Sequence, residues 1–411
     1  MNPLEITLGI MTAVGGFVDI SELVFAAQAG SIFGYALIWV FALMTIGIMA
    51  FGEMSGRVAA VAHQPVFNLM RHRLGLKLGL VTLFASVVST LITTAAEIGG
   101  VGLILHYLTG FPYLLMAVVG TVALGASMWV LPFKWIERTY GLLGLLMLVF
   151  AVALVKIHPP WDQILGGFVP QIPPGLSEKE LLKFGYFAVA ITSAVLFPYE
   201  AYFYSSGGIE EEWGPKDLPN NRLTTTVGFA LGSLLAITIM AISAQLFRPV
   251  NVGPQIPGSS ALEVAIPLGR AGLLVALLGM LIAIAGAAIE TCMANAYSVS
   301  QFFGWEWGRH RKPWEAPRFT VAWIAFMVLA LLIVLTDVDV MSLVEYAIVF
   351  SIVVLPLTYL PLMLLARDRN YMGQYVNGWL ANGLGWLFFV IVTVAALAAI
   401  PLYILTSGGQ A

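Results

Sequence analysis

The stretch Gly15-Gly16-Phe17-Val18-Asp19-Ile20-Ser21-Glu22 lies inside an apolar segment and carries two carboxylates. A second stretch, Phe197-Pro198-Tyr199-Glu200, places a proline and a carboxylate in the middle of another apolar segment. Proline removes a main-chain donor and interrupts a helix. A charged side chain at the centre of a membrane helix costs about 3 kcal/mol on insertion scales, so such residues need a reason to be there. The two stretches therefore predict two interrupted membrane helices.

The composition around these stretches is that of a membrane protein. Of the 411 residues, 60% are hydrophobic and 10% are charged, whereas about 25% of the residues of a soluble domain are charged. The net charge of -3 gives no reason to expect a nucleic-acid partner. The single cysteine, Cys292, cannot form an internal disulfide, and we expect it to be a small buried side chain. The first apolar run lacks the basic start and the A-x-A exit of a cleaved signal peptide, so we expect it to be the first transmembrane helix.

Because about 20 apolar residues cross the hydrocarbon core, the sequence predicts an all-α polytopic membrane protein with eleven spans. They lie at about 6–29, 33–60, 78–108, 113–131, 139–157, 183–206, 224–247, 262–303, 318–336, 340–366 and 381–406. The third and eighth spans are long enough to tilt or to project into water. The segment between residues 159 and 182 is expected to be an external loop.

Lysine and arginine predict the orientation, since they are enriched in cytoplasmic loops. With a cytoplasmic N-terminus, five of the 19 basic residues fall on the outer side and the other 14 on the inner side. The five are Lys156, Lys179, Lys183, Arg248 and Arg270. We therefore expect a cytoplasmic N-terminus and, after an odd number of spans, an extracytoplasmic C-terminus, in the cell (inner) membrane.

The two interrupted segments lie inside the first and the sixth spans, five spans apart. In transporters built from inverted five-helix repeats, the first helix of each repeat is broken and the substrate binds between the breaks. The sequence thus predicts one transmembrane domain over residues 1–411. Repeat one covers about 6–157, repeat two about 183–366, and an extra helix about 381–406. The alternative for either segment alone is a kinked helix with a buried polar network.

The carboxylates of the two breaks indicate what this site binds. Asp19, Glu22 and Glu200 would repel one another unless a cation or protons neutralised them. Carboxylate and carbonyl oxygens are hard ligands suited to Mg²⁺, Ca²⁺ or Mn²⁺, and an unwound helix frees main-chain carbonyls, here near Gly16 and Phe197. Neither break contains His or Cys, which argues against a site specialised for Zn²⁺ or Cu⁺. For Glu22 and Glu200 the alternative roles are helix capping or pointing into an aqueous vestibule.

Other acidic residues in apolar segments allow less specific expectations. Glu97 could relay a proton or pair with a distant arginine. Glu290 follows small residues, and we weigh an interhelical hydrogen bond equally with function. Glu53 and Arg57 are four residues apart, so an ordinary helix ion pair is favoured. The run Glu210–Glu212 is expected to be a solvated loop, with gathering of cations near the exit as the alternative.

At these residues the chain resembles the NRAMP family of divalent-metal transporters, which have the leucine-transporter fold. The matching motifs are SIFGYALIWVF (31–41), TAAEIGG (94–100), FPYEAYFYSS (197–206) and PLTYLPLMLLARDRNYMGQYVN (356–377). They run from the first span to the last, and their order and spacing together are specific. The resemblance implies a secondary transporter that works by alternating access, rocking the first, second, sixth and seventh helices against the rest.

The chain departs from the family pattern at the breaks. The family's first-helix DPGN reads Asp19-Ile20-Ser21-Glu22 here, so the asparagine has become a carboxylate. The sixth-helix methionine, whose sulfur helps the family select transition metals, is Phe197, and the asparagine of that helix is Glu200. Hard anionic oxygens thus replace soft and neutral ligands, which removes a penalty on Mg²⁺. The bulk of Phe197 argues in the other direction, because it narrows a site for a hydrated ion.

The proton route of the family is also altered. Its two sixth-helix histidines are Tyr199 and Tyr204, and its third-helix aspartate is Thr94, although Glu97 is kept. We therefore expect a divergent member that transports a divalent cation, Mg²⁺ or Mn²⁺ favoured, with weak or absent proton coupling. Tyr199 joins Asp19, Glu22, Glu200 and the two carbonyls as a binding residue. The logic is similar to that of the NRAMP-related magnesium transporters.

The remaining expectations concern partners and rivals. The cation is substrate and no resident cofactor is expected; the chain is expected to lie in the lipid bilayer as a monomer or weak oligomer, without enzymatic activity. The first alternative is a transporter of a small organic cation or amino acid, whose ammonium group would face the carboxylates and the aromatic rings. Those rings are Phe197, Tyr199, Tyr202 and Tyr204. The second alternative is a non-transporting sensor or scaffold.

Overall fold

The computed structural model describes residues 18–131, 133–254 and 257–410, and all regular structure within them is helical. This part of the chain contains fifteen α-helices: α1 (Ile20–Phe33), α2 (Ile38–Ala62), α3 (Val66–Thr109), α4 (Tyr113–Val130), α5 (Phe133–Gly144), α6 (Val149–Lys156), α7 (Trp161–Gly166), α8 (Glu178–Val195), α9 (Pro198–Glu210), α10 (Leu218–Leu246), α11 (Pro257–Phe303), α12 (Pro317–Val334), α13 (Val340–Arg367), α14 (Arg369–Met372) and α15 (Trp379–Thr406). Four 3₁₀ turns also lie among the described residues, and one of them, Leu145–Leu148, joins α5 to α6.

Ten helices in the described residues are long and apolar enough to cross a membrane, and they match the second to eleventh predicted spans. The segment Glu178–Glu210 counts as one of them and contains both α8 and α9. The short apolar helix α1 belongs to the first predicted span, of which residues 6–17 lie outside the described part of the chain. The predicted all-α polytopic membrane architecture is confirmed.

The two longest helices are each divided by one glycine. Gly75 in α3 has φ 77° and Gly269 in α11 has φ 67°, a left-handed conformation that glycine adopts at little cost. A short segment therefore precedes the membrane-crossing part of each helix, over residues 66–74 in α3 and 257–268 in α11. These are the third helices of the two predicted repeats, so the kinks occupy equivalent positions.

Packing between the helices has the same symmetry. The described part of the first span, α1, packs against α10 of the second repeat, and α9 packs against α2 of the first repeat. The two kinked helices, α3 and α11, form the most extensive helix pair. Helices α1 and α9 thus each lie against the second helix of the opposite predicted repeat, as expected for two inverted five-helix repeats. The boundaries of the repeats stay a prediction.

The predicted ion pair between Glu53 and Arg57 is confirmed, with Arg57 Nε 2.9 Å from Glu53 Oε1. The same guanidinium donates to the carbonyl of Tyr375 (2.7 Å) and to Asn377 Oδ1 (2.6 Å). Arg57 thereby joins α2 to the segment that follows α14, and Glu53 has a structural role.

The expectation of a solvated loop at Glu210–Glu212 is wrong for Glu210. The side chain of Glu210 is 7% exposed and lies 2.9 Å from Arg309 Nε. It also accepts hydrogen bonds from the main-chain N–H of Arg309 (2.6 Å) and from the hydroxyl of Tyr297 (3.1 Å). The reason is that α9 continues to Glu210 and ends on the loop that follows α11. Glu211 and Glu212 are both exposed, as expected for a solvated loop.

Candidate cation site

The predicted break in the sixth span lies between α8 and α9. Helix α8 ends at Val195, Leu196 has φ -122° and ψ 64°, and Phe197 is extended with φ -76° and ψ 139°. Pro198 explains this geometry, because it cannot donate a helix hydrogen bond and forces the preceding residue out of the helical region. At the first position of α9 the missing N–H costs nothing, so the same proline starts the second half-helix.

The first predicted break is described only from Val18 onward, and there Asp19 starts α1. Its Oδ1 accepts a hydrogen bond from the main-chain N–H of Glu22 (2.8 Å), and its main-chain carbonyl accepts from Leu23 N–H (3.2 Å). Asp19 is therefore the N-cap of α1. Gly16 lies outside the described residues, so its carbonyl as a ligand stays a prediction.

Glu97 of α3 reaches the same helix end. Its Oε1 accepts a hydrogen bond from the main-chain N–H of Ile20 (3.2 Å), the first residue of α1. The free N–H groups and the helix dipole give this end a partial positive charge that stabilises carboxylates. Asp19 and Glu97 thus share the capping of α1. The Asp-x-x-Glu pattern at Asp19 signalled a cap in the sequence, whereas nothing local to Glu97 pointed to Ile20.

Glu22 and Glu200 occupy the same position in their two half-helices. Asp19 precedes α1 and Glu22 is its third residue; Phe197 precedes α9 and Glu200 is its third residue. The carboxylate of Glu200 also lies near the main-chain N–H of Phe197. Because a residue at this position points back over the first turn, both glutamates stay close to their own break. The two breaks therefore present matching carboxylates to the interior.

These carboxylates form one electrostatic cluster. Glu22 is close enough to Asp19 and Glu200 to interact with them electrostatically. Glu200 and Glu97 each interact in the same way with Asp19 and Glu290. Within the described residues, none of the charged groups that act on these three glutamates is positive. Asp19 and Glu22 are 3% exposed and Glu97 is 0% exposed. Glu22, Glu97 and Glu200 thus lie in an acidic cluster in the protein interior.

Glu290 and Tyr359 enlarge the cluster beyond the sequence prediction. Glu290 lies one helical turn before Ala294 in α11, and Ala294 packs against Phe197 and Tyr199, so both residues share the face toward the second break. Glu290 also acts electrostatically on Tyr199. Tyr359 of α13 is fully buried and is acted on by Glu200. Their approach depends on tertiary packing, and only the position of Glu290 inside an apolar span signalled it.

Several oxygens of this cluster have no hydrogen-bond partner although they are buried. They come from α1 or its cap, α3, α9 and α13: Asp19 Oδ2, Ser21 Oγ, Glu22 Oε2, Glu97 Oε2, Glu200 Oε2 and Tyr359 Oη. Buried polar atoms normally find a partner, and each exception needs an explanation such as an ion or water. No group of three or more His, Cys, Asp or Glu side chains in the described residues is already close enough together to hold a metal ion.

The predicted aromatic and proton-route residues are only partly at the site. Phe197 and Tyr199 lie together, with ring centroids 5.5 Å apart. Tyr202 instead donates to Thr358 Oγ1 (3.1 Å), and Tyr204 packs edge-on against Trp213, with centroids 5.6 Å apart. Two of the four rings therefore face elsewhere.

Thr94 is buried one turn before Glu97 in α3, and its hydroxyl donates to the carbonyl of Thr90 (2.8 Å). This hydrogen bond to the preceding turn is ordinary for threonine in a helix. It gives the hydroxyl a local partner, and a part for Thr94 in a proton route stays a prediction.

A polytopic helical membrane fold with buried carboxylates at the start of α1 and at the break before α9 is the arrangement expected of the leucine-transporter fold. Solved structures with this arrangement include the manganese transporter of Eremococcus coleocola, with TM-score 0.79, 18% identity, and coverage of 98% of this chain and 87% of that one. The transporter MhsT bound to L-phenylalanine also matches, with TM-score 0.63, 15% identity and 98% coverage of both chains.

The family model for natural resistance-associated macrophage protein-like (Nramp) proteins matches residues 9–401, and the chain belongs to this family. The divalent metal cation transporter MntH of Ralstonia nicotianae is 27% identical over 414 residues, covering 95% of this chain and 88% of the relative. The MntH of Latilactobacillus sakei is 22% identical over 405 residues, covering 94% and 86%. The resemblance inferred from the motifs is confirmed.

Proposed function

We propose that this protein is a secondary transporter of a divalent metal cation, with Mg²⁺ or Mn²⁺ as substrate. The observation that carries the proposal is the set of buried oxygens without partners at the two breaks, in a cluster whose charges are acidic. Carboxylates that cannot find a basic partner repel one another, and a divalent cation among them removes that repulsion. Asp19, Glu22 and Glu200 are the proposed direct ligands, with the Phe197 and Gly16 carbonyls beside them.

The chemistry of the donors favours a hard cation. The unpartnered atoms are carboxylate and hydroxyl oxygens, which suit Mg²⁺ and Mn²⁺, whereas thioether and thiolate ligands select softer metals. The relatives named above are a manganese transporter and divalent metal cation transporters, which supports a divalent substrate.

The spacing of the cluster favours an ion that keeps part of its hydration shell. Because no three acidic side chains in the described part of the chain already converge on one point, water would have to bridge between the ion and some of them. Mg²⁺ gives up water reluctantly and is usually bound through one or two carboxylates with several waters retained. Tyr199 and Tyr359 could then contact those waters rather than the ion.

The proposed transport cycle follows from the helix packing. Helix α1 lies against α10, and α9 lies against α2, so these four elements can move together against the other helices, as the fold implies. We further propose weak or absent proton coupling, because Tyr199, Tyr204 and Thr94 stand where the family has groups that titrate. The chain would act as a multi-pass protein of the cell membrane with a cytoplasmic N-terminus, as a monomer or weak oligomer.

A small organic cation or amino acid is the alternative substrate, and MhsT bound to L-phenylalanine shares this fold. An aromatic cage for an ammonium group needs several rings around one point. Here Tyr202 is directed to Thr358 and Tyr204 to Trp213, so Phe197 and Tyr199 are the remaining pair. This arrangement favours the metal ion.

Uptake into proteoliposomes tests the proposal. The parent chain should carry Mg²⁺ or Mn²⁺, and Glu200→Gln should lower uptake at subsaturating metal by at least about tenfold, the usual cost of losing a group that supports a metal. Glu306→Gln is the matched control, since Glu306 is 68% exposed and pairs with Arg311 on the surface. Absence of metal flux in the parent, or equal uptake by both variants, would show that the proposal is wrong. Uptake of an amine or amino acid instead would support the alternative.

A further inference from the structure

A second buried carboxyl group lies in the short first segment of α11, away from the helix breaks. Glu263 is fully buried, and neither of its carboxylate oxygens has a hydrogen-bond partner. One turn earlier, Ser260 is also buried and its hydroxyl also has no partner. Residues three apart share a helix face. Three unpartnered buried polar atoms thus lie on one side of this segment.

Ser243 of α10 connects this group to α1. Its hydroxyl interacts with the carboxyl of Glu263, but its single hydrogen is donated to the main-chain carbonyl of Ala27 (2.6 Å). A serine hydroxyl has one hydrogen to donate and two lone pairs to accept with. An ionised Glu263 therefore receives no hydrogen from Ser243, and the Ser260 hydroxyl alone would be a small compensation for a buried charge.

We propose that Glu263 is a proton-binding site that fastens the first segment of α11 to α10 and α1. With one proton on the carboxyl, Glu263 donates to Ser243 Oγ, which donates to the Ala27 carbonyl, and the other carboxyl oxygen accepts from Ser260. One proton thereby gives a partner to all three unpartnered atoms. A metal ion would need about six oxygen ligands, which is more than the carboxyl and two hydroxyls supply.

The surroundings of Glu263 leave the proton without a competing charge. The segment 257–268 contains no other titratable side chain, and Tyr107 of α3 contacts this segment at Gly258. Arg248 approaches Gly34 at the end of α1, and Arg270 follows the kink. Within the described residues, Tyr107, Arg248 and Arg270 do not interact electrostatically with the Glu263 carboxyl. The side chain that does interact with it is Ser243.

The symmetry of the fold shows what the proton controls. The equivalent segment of α3, residues 66–74, contacts the other interrupted helix through a neutral hydrogen bond, from Val66 N–H to Ser205 Oγ of α9 (3.3 Å). The segment of α3 thus contacts α9 directly, that of α11 reaches α1 through Ser243, and Gly75 and Gly269 divide the two segments from their spans. The contact with α1 includes an acid, so its release requires loss of a proton. The proton is taken up and given back at one end of the bundle, so it changes the rate of transport without crossing the membrane.

Infrared difference spectra of the purified full chain test the proton directly and need no transported substrate. We expect the carbonyl stretch of a protonated carboxylic acid in the parent and in the control Glu306→Gln, and its loss in Glu263→Gln. Ser243→Ala should shift the same band, because the acceptor is removed. A parent spectrum that matches Glu263→Gln in this region overturns the proposal. This outcome is independent of metal transport, so it cannot be confused with failure of the proposed function.

The second measurement, Mn²⁺ uptake with the pH varied on one face at a time, rests on the proposed function. The deprotonated fraction of a single acid, the form that releases the contact, falls by up to tenfold for each pH unit of acidification. Acidification of the predicted extracytoplasmic face should therefore slow parent uptake by up to about tenfold per unit. Glu263→Gln keeps a donor to Ser243 and should be slow at every pH, whereas Glu263→Ala should be fast at every pH. A parent-like pH profile in both variants would overturn the control of transport by this proton.

Discussion

Replacement of Asp19 by asparagine separates two tasks that this side chain has in the structure. Oδ1 accepts the hydrogen bond from Glu22 N–H that starts α1, and Oδ2 has no partner. Asparagine caps a helix about as well as aspartate, so the start of α1 is preserved. The negative charge is lost, and an amide N–H₂ takes the place of one oxygen. We expect Asp19→Asn to fold like the parent and to bind Mn²⁺ more weakly.

The magnitudes follow from these contacts. Asp19→Ala loses the cap, which costs about 1 kcal/mol of stability, whereas Asp19→Asn should change the metal-free stability by less than about 0.5 kcal/mol. Loss of the charge also relieves repulsion with Glu22, which favours the asparagine variant further. For the metal, loss of a carboxylate should weaken binding about 100-fold, the upper end of the range for groups that support a site.

Thermal unfolding with and without Mn²⁺ measures both effects in one assay. A ligand that binds only the folded state at 100 times its Kd stabilises it by about 2.7 kcal/mol. After a 100-fold loss of affinity, the same Mn²⁺ concentration equals the Kd and stabilises by about 0.4 kcal/mol. If both variants keep the full Mn²⁺ effect, Asp19 is not part of the site. If Asp19→Asn is destabilised as much as Asp19→Ala in the absence of metal, the capping assignment is wrong.

Two further predictions concern helix contacts and pH. A Cβ on Gly30 would overlap the main-chain carbonyl of Met240. Gly30→Ala should therefore lower the free energy of unfolding by about 1–3 kcal/mol through overpacking, and with it the melting temperature. Gly383→Ala is the control and should not lower the melting temperature, because nothing lies within 4 Å of a Cβ at that position. Hydrogen bonding to His310, followed by the Arg309 charge, lowers the pKa of Glu211 from its ordinary value of 4.5 to about 2. Because the folded-state pKa is the lower one, this contribution is complete above about pH 4.5 and is lost as the pH falls toward 2. The parent and Glu211→Gln should therefore differ in melting temperature at pH 6 and converge in acid, and a constant difference would contradict the assignment.

The break before α9 and the start of α1 could be predicted because their causes are local. Pro198 excludes a continuous helix by itself, and Asp19 with Glu22 three residues later is a capping pattern inside an apolar run. The sequence motifs and their order identified the family, and the hydropathy pattern located the membrane spans. For the same reason the ion pair of Glu53 with Arg57, one helical turn apart, was predicted correctly.

Contacts between distant segments could not be predicted in this way. Glu97 caps α1 from 77 residues away in the chain, and Glu210 is buried because a loop about 100 residues later supplies Arg309. A row of three glutamates has the composition of a solvated loop. Glu210 is nevertheless buried, because α9 ends against the loop that carries Arg309. The inward position of Tyr359 likewise depends on how α13 packs against the breaks.

The carboxylates at the start of α1 serve both the helix N-terminus and the proposed cation site. Asp19 and Glu97 each give one oxygen to a peptide N–H of the first turn and keep the other free. A cation that takes both oxygens of either group competes with the peptide for them, since an oxygen drawn to the ion moves away from its N–H. The cation and the peptide N–H groups therefore compete for the same carboxylate lone pairs. The order of the first turn of α1 consequently reports whether a cation occupies the site. Amide hydrogen exchange at Ile20 and Glu22 would then read out occupancy from the protein itself.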